Sequence, residues 1–336
     1  MRRPILFSLV LPVVLVCASA AQAKQAGTTV NLVAFSTPKP VVQKLIAKWT
    51  STSAGNGVSF TQSYGPSGSQ ARAIVAGQPA DIAFLSNALD VDTLTQAGLV
   101  ESNWTKKLPH GGIVADSVVA FVVRPGNPKH IANWSDLVKP GVQVVSPDPF
   151  SSGGAKWNIL AAYGAMRKSG ESDKKATAFV ANVFKHVVSQ DSSSSNAMNT
   201  FLAGKGDVLI TYESEAYAAL AAGKHIGLVI PKQTMLIQLP MVPLKNAPAA
   251  ATSFISYAHT PKAQAIFAAN GYRPVAQAVL NEKSLAVWKT RFGGRRQIFQ
   301  ISDPVFGGWN KVNTVWFDPN TGRMVKIEQE VGGPTH

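Results

Sequence analysis

The residues best suited to chemistry in this chain are hydroxyls and glycines grouped where a strand gives way to a helix. Three such groups stand out: Tyr64-Gly65-Pro66-Ser67-Gly68-Ser69-Gln70-Ala71-Arg72, Ser151-Ser152-Gly153-Gly154-Ala155-Lys156-Trp157-Asn158, and Asp191-Ser192-Ser193-Ser194-Ser195-Asn196-Ala197. The first N–H groups of a helix have no internal acceptor, and the aligned peptide dipoles place about half a positive charge there. Glycine lets a ligand reach that backbone with no Cβ in the way. The chemistry on offer is anion capture. Serine is also a favoured helix cap, so one junction of this kind serves equally well to stop fraying. Three in one chain point to a shared ion. No Lys or Arg falls within 151–155 or 191–197, so the ion would rest on neutral donors and dipoles. Donors alone suit a fully ionised oxyanion. A protonated one needs an acceptor for its O–H, and leaving that proton unpaired in a dry site costs about 1–3 kcal/mol.

The elements that must hold these groups alternate along the chain. Strands are predicted over 29–35, 57–62, 80–85, 117–123, 142–146 and 207–212. Helices are predicted over 40–49, 69–75, 90–96, 154–166, 174–187 and 213–222. Alternation of this kind predicts an α/β fold of parallel sheets covered by helices, with ligands at the carboxyl ends of the strands. Two extended stretches, 116–123 and 234–243, read as crossings between lobes, and Pro125, Pro128 and Pro140 punctuate the start of the middle block. The expected division is a leader at 1–23, a first lobe built from 24–119 and 233–336, and a second lobe at 120–232 inserted into it. The polar end, 322–336, is expected to be poorly ordered.

Composition narrows the setting. Arg2 and Arg3, an apolar run over 5–16 and the small-residue motif Ala21-Gln22-Ala23 read as a cleaved export leader. The run is shorter than the ~20 residues a membrane helix needs. Cys17 is the only cysteine, and the preceding Leu15-Val16 lacks the small residue expected before a lipidated cysteine. The mature chain is thus expected to have no disulfide, no thiolate metal site and no cysteine nucleophile. The leader holds two of the 32 Lys+Arg and no acid, leaving 30 basic against 18 acidic residues, a balance of +12. That field favours anionic ligands. The run Lys289-Thr290-Arg291-Phe292-Gly293-Gly294-Arg295-Arg296 would suit nucleic acid, but an exported protein does not meet it, and a solvated loop is expected there instead.

Longer motifs carry a resemblance. Gln62-Ser63-Tyr64-Gly65-Pro66-Ser67-Gly68-Ser69-Gln70-Ala71 resembles the Q-S-H-G-G-S-G-K-Q-A of the periplasmic sulfate/thiosulfate-binding proteins that serve ABC importers. Val122-Val123-Arg124-Pro125-Gly126-Asn127-Pro128-Lys129, Asp136-Leu137-Val138-Lys139-Pro140-Gly141-Val142, the stretch from Ser151 to Asn158, Gly206-Asp207-Val208-Leu209-Ile210, Tyr272-Arg273-Pro274 and Val305-Phe306-Gly307-Gly308-Trp309 follow in the family's order. The resemblance implies a two-lobed, type II periplasmic-binding-protein fold with the ligand cleft between lobes. It implies a monomer in the periplasm, working with a membrane permease and without cofactor, metal or nucleic acid. It also implies an ion held chiefly by main-chain N–H groups, at Ser67 on one lobe and Ser152, Gly153 and Gly154 on the other, with the Ser152 hydroxyl as a side-chain donor. The family's alanine at the third junction falls on Ser194, and a further backbone donor falls near Ser36.

This chain departs from the family at three positions. Ser36 stands where the family has Asp, and Ser195 where it has Arg. If those two partner in the family, their joint loss avoids an orphan charge. Tyr212 stands where the family has a Trp donor, and a phenol accepts as well as donates. Related molybdate binders also use a tyrosine. The choice among sulfate, thiosulfate, molybdate, tungstate and chromate therefore stays open.

Other chemistries find less support. Gly65-Pro66-Ser67-Gly68-Ser69 is a near miss to the G-x-S-x-G nucleophile elbow, which would make Ser67 the nucleophile of a serine hydrolase. None of the six histidines sits in a triad or metal motif. Asp90 and Asp92 read as helix-start acids. Glu213 and Glu215, spaced i and i+2, would face apart on a helix and make a poor sugar-binding pair.

Overall fold

Alternating strand and helix propensity produces two open sheets joined by two long strands. The computed structural model describes residues 27–275 and 297–333; the leader with Cys17 and the basic run at 289–296 lie outside the described residues. The chain opens with β1 (Thr29–Phe35), α1 (Lys39–Thr50), β2 (Ser59–Gly65), α2 (Ser67–Val75), β3 (Ile82–Phe84) and α3 (Ala88–Gln96). A short α4 (Trp104–Lys107) leads into β4 (Ile113–Val123). Next come β5 (Val144–Pro147), α5 (Gly153–Lys168), α6 (Asp173–Lys185), β6 (Val187–Asp191), α7 (Ser194–Leu202), β7 (Val208–Tyr212), α8 (Glu213–Ala221) and β8 (Gly227–Val229). The chain continues through β9 (Gln233–Pro243), α9 (Ala249–Ala258), α10 (Pro261–Ala269), β10 (Gln297–Phe299), α11 (Gly308–Val312) and α12 (Arg323–Val331).

In one lobe β1 pairs in parallel with β2 and β3; in the other β5 pairs in parallel with β6 and β7. The long strands β4 and β9 break the expected all-parallel pattern. They run antiparallel to each other, Asp116 opposite Gln238 and Ser117 opposite Ile237. Beyond that shared stretch they part: Val119–Val123 of β4 pairs with β7, and Met241–Pro243 of β9 pairs with β3. A chain that leaves one lobe and returns to it must cross twice in opposite directions, which is why these strands are antiparallel. From Val118 to Val123 β4 is wholly buried, as a strand covered on both faces must be.

The C-terminal segment departs from its expectation. Its end, 322–333, includes helix α12, with Met324 and Ile327 buried. Polar composition averaged over the segment hid an amphipathic period. Arg323 donates to both carboxylate oxygens of Asp173 at 2.8 and 2.7 Å, tying α12 to α6. Further back, Trp309 sits edge-on to Trp157 of α5, centroids 4.8 Å apart. The helix predicted over 174–187 stops at Lys185, and 187–191 becomes the β-branched strand β6.

Candidate functional site

The cavity between the lobes is very small, about 10 Å³, and Ser36, Ser67, Ser152, Gly153, Gly154, Ser194 and Tyr212 all line it. Phe35, Thr37, Gly65, Pro66, Ser86 and Ser193 complete the lining. Every one of these residues falls where a strand ends and a helix begins. The first lobe supplies β1–α1, β2–α2 and β3–α3; the second supplies β5–α5, β6–α7 and β7–α8. The lining contains no charged side chain. The cavity is therefore ringed by N–H groups and positive dipole ends. Phe35, 6.0 Å from the Tyr212 ring, adds an apolar wall.

On the second lobe the junctions resolve the choice between capping and binding residue by residue. Ser193 is the N-cap of α7 and accepts from the Asn196 N–H at 3.1 Å. Ser152 is the N-cap residue of α5, yet its hydroxyl makes no capping bond. Helix geometry leaves the N–H groups of Gly153, Gly154 and Ala155 without an intrahelical acceptor. The Ser194 hydroxyl is buried and has no hydrogen-bond partner among the described residues. An unpartnered buried hydroxyl costs about 1–3 kcal/mol, so a group aimed into this cavity that can accept its proton is stabilising. A Cβ on Gly154 would lie 2.1 Å from the Ser194 Oγ and 3.0 Å from the Tyr212 ring, so only glycine leaves α5 open here.

On the first lobe the Ser67 hydroxyl is committed. It donates to Asp90 Oδ2 at 2.6 Å and accepts from the Ser86 N–H at 2.9 Å. What Ser67 still presents to the cavity is the main-chain N–H at the first position of α2, a helix whose N-cap, Pro66, has no side-chain acceptor. Ser36 donates its hydroxyl to Gly65 O at a long 3.4 Å. Ser195 bonds to the Glu215 carboxylate, so neither serine is shown spending its hydroxyl on the other.

Three contacts close the lobes onto each other. Ser86 Oγ and Tyr212 Oη lie 2.7 Å apart, Trp157 Nε1 donates to Ser86 O at 2.8 Å, and Lys156 Nζ sits 3.0 Å from Asp90 Oδ1. The Ser86–Tyr212 bond uses one of the pair's two hydroxyl protons and leaves the other to donate. Burial holds the Tyr212 phenol far above its ordinary range, so it stays neutral. At Gly153 the opposite lobe comes close: a Cβ there would stand 2.6 Å from both Ser86 Oγ and Asn87 Nδ2.

Sequence reasoning missed Ser86, Asp90 and Lys156 as a group. Ser86-Asn87-Ala88-Leu89-Asp90 has the same hydroxyl-and-cap style as the other junctions, but its strand is only three residues long. Asp90 does accept a helix-start role, its N–H bonded to Asn87 Oδ1 at 3.0 Å. Its second role depends on residues 23 and 66 positions away.

Behind Tyr212, Glu215 is buried and accepts from Thr211 Oγ1. Burial pushes its carboxyl up to about 7, against the lowering effect of Thr211 and Ser195. An acid raised in the folded state keeps its proton while the unfolded chain has lost it, so its contribution falls as pH climbs from the ordinary carboxylate range to about 7. Glu215→Gln removes that penalty. In thermal melts the variant's gain over the parent should be absent near pH 4 and should grow to a few degrees by pH 7.5. A gain that shrinks with rising pH contradicts the assignment.

A family model described as "Bacterial extracellular solute-binding protein" matches residues 30–273. The chain is 39% identical over 288 residues to the sulfate-binding protein of Salmonella typhimurium, covering 82% of this chain and 84% of that one. It is 33% identical over 280 residues to the thiosulfate-binding protein of Pseudomonas aeruginosa, covering 80% and 82%. Among solved structures, the sulfate-binding protein SubI from Mycobacterium tuberculosis superposes with a TM-score of 0.81 at 37% identity, over 87% of this chain and all of that one. A molybdate-binding protein of Mycobacterium bovis matches far less, 26% identity over 48% of the chain.

Proposed function

Because the chain belongs to the bacterial extracellular solute-binding proteins, and among them to the sulfate- and thiosulfate-binding proteins, we propose that it captures one such ion between its lobes and delivers it to the membrane permease of an ABC importer. The observation that carries this reading is the convergence of six strand-to-helix junctions, three from each lobe, on a cavity lined by no charged side chain. A sulfate ion accepts hydrogen bonds on four oxygens and asks for none in return, which matches a site made of donors. Its charge is met by helix dipoles and amides that need no reorganisation.

The donors we assign are the main-chain N–H groups at Ser36, Ser67, Gly153, Gly154 and Ser194, the Ser152 and Ser194 hydroxyls, and the proton left over in the Ser86–Tyr212 pair. The binding role, with no bond made or broken on the ligand, is favoured over hydrolysis by the Ser67 oxygen's acceptance of the Ser86 N–H, which occupies a lone pair that a nucleophile would spend on its substrate. The phenol at Tyr212 makes molybdate the second ion to test. The expected division placed 233–336 in the first lobe; we keep 24–119 with 233–275 there and 120–232 as the second, and propose that 297–333 goes with the second, since Trp309 packs on Trp157 and Arg323 pairs with Asp173. The leader at 1–23 would carry the chain to the periplasm, where it would work as a monomer.

Calorimetric titration of desalted protein against sulfate, thiosulfate and molybdate tests the function. Saturable binding of sulfate or thiosulfate at one ion per chain is expected; heat from molybdate alone would move the chain to the second ion, and heat from none of them would end the reading. Ser152→Ala is expected to weaken binding about 10-fold or more, the worth of a hydrogen bond to a charged group. Because the hydroxyl caps nothing, the ligand-free melting temperature should hold. Unchanged affinity would remove Ser152 from the donor set.

A further inference from the structure

We infer that Asp90 and Lys156 are positioning residues whose ion pair makes anion affinity depend on closure, an inference that rests on the cavity holding an oxyanion as proposed above. Asp90 is 2% exposed and faces two ways. From its own lobe, Oδ2 receives Ser67 Oγ at 2.6 Å and Asn87 Nδ2 at 3.0 Å. From the opposite lobe, Oδ1 receives Lys156 Nζ at 3.0 Å. The bonds to Ser67 and Asn87 lie within one lobe and need no closure. The bond to Lys156 exists only when α5 is docked against α3.

The consequence is electrostatic. Asp90 grips the side chain of Ser67, whose N–H is one of the first-lobe donors. With the lobes apart, the carboxylate behind that donor loses Lys156, the one cation in direct contact with it among the described residues; Arg72 of its own lobe stays near, on the other side of Gly68, and an arriving anion meets more negative charge than in the closed form. Docking brings Lys156, only two residues beyond Gly154, onto the carboxylate and cancels its charge. The Lys156 side chain is just 12% exposed, so solvent screens the pair little. The ion therefore meets a more positive site in the closed form than in the open one, and its binding energy is tied to closure.

The prediction is a sign asymmetry that a purely mechanical clasp would not show. Lys156→Met leaves an unpaired carboxylate near the ion, whereas Asp90→Asn leaves an unpaired cation and still offers an oxygen to the Ser67 proton. We expect Lys156→Met to weaken sulfate binding by about 30-fold or more, chiefly through faster dissociation. Asp90→Asn should weaken it much less, the double variant Asp90→Asn/Lys156→Met should recover most of the loss, and Lys156→Arg should stay within about threefold of the parent. Calorimetry and stopped-flow dissociation on the parent and these variants read all of this, with ligand-free melts to show that each folds. The inference is overturned if Lys156→Met binds within twofold of the parent, or if Asp90→Asn loses as much as Lys156→Met and the double variant loses more than either. If Lys156→Met does not fold, the comparison of Asp90→Asn, the double variant and Lys156→Arg still decides. A parent that binds no sulfate or thiosulfate overturns the functional reading itself, a separate result from a binding parent whose affinity ignores Lys156.

Discussion

Gly153→Ala is expected to lower sulfate affinity about 100-fold while leaving the ligand-free protein as stable as before. A methyl group at this position would sit 2.6 Å from Ser86 Oγ, 2.6 Å from Asn87 Nδ2 and 2.7 Å from Ser86 Cβ. All three atoms belong to the opposite lobe. The hydroxyl can rotate away; the Ser86 Cβ cannot, because its backbone is fixed by bonds to Ser67 Oγ and Trp157 Nε1. The methyl therefore acts as a wedge between the lobes and not as a defect within one. Overpacking of this kind costs about 1–3 kcal/mol, which is about 5- to 150-fold in affinity. Within α5 the same change is favourable, since alanine is a better helix former than glycine. Paired titration and melting of the variant separate the two effects. Affinity retained within threefold would show that the lobes do not need to approach this closely to hold the ion.

Arg273→Met is expected to be the most destabilising single change, costing about 3–5 kcal/mol and roughly 10 °C in melting temperature. Arg273 grips Glu213 through Nε at 2.7 Å and Nη2 at 3.0 Å, and the pair is 7% and 0% exposed. Its main chain exchanges two hydrogen bonds of 2.8 Å with Asp116 on β4, where that strand runs beside β9. Glu213 opens α8, next to Tyr212. Removing the guanidinium leaves a carboxylate buried with its largest partner gone. It also takes the nearest cation from Asp116, whose carboxyl burial already pushes up to about 7. The effect should show in melts without ligand, and Glu213→Gln in the same background should restore part of the loss. A shift under about 2 °C would mean that water reaches the pair.

How much of this was legible depended on the range of the interaction. The alternation of strands and helices was readable because each is set by a local period, and β1, α1, α5 and β7 fall within a residue or two of their expected bounds. The crossing strands were readable as extended, apolar stretches, the second of them bearing Pro240 and Pro243, but their antiparallel pairing was not, since it is a property of two segments over 100 residues apart. Hydroxyl- and glycine-rich junctions exposed three sides of the cavity. The β3–α3 side was hidden by a short strand and a single serine. Tyr212 came from the family resemblance; composition alone makes it an ordinary core aromatic. The fate of the Ser67 proton could not be read at all, because a serine at a helix start looks the same whether its hydroxyl faces a ligand or a carboxylate 23 residues on.

The proposed site would hold its anion without a charged side chain against it. The Asp90–Lys156 ion pair is internally neutral and reaches the cavity through Ser67. The chain's excess of positive charge lies elsewhere on the molecule, where it can raise the rate of encounter with anions without contributing to the contacts that select them.

An experimental structure of the protein with sulfate or thiosulfate bound would locate the ion. One ion is expected between the lobes, bonded by main-chain N–H groups at Gly153 and Gly154, by the Ser152 and Ser194 hydroxyls, and by first-lobe donors at Ser36 and Ser67, with no charged side chain in contact with it. An ion seated outside this cavity, or one held inside it by a lysine or arginine, would contradict the account.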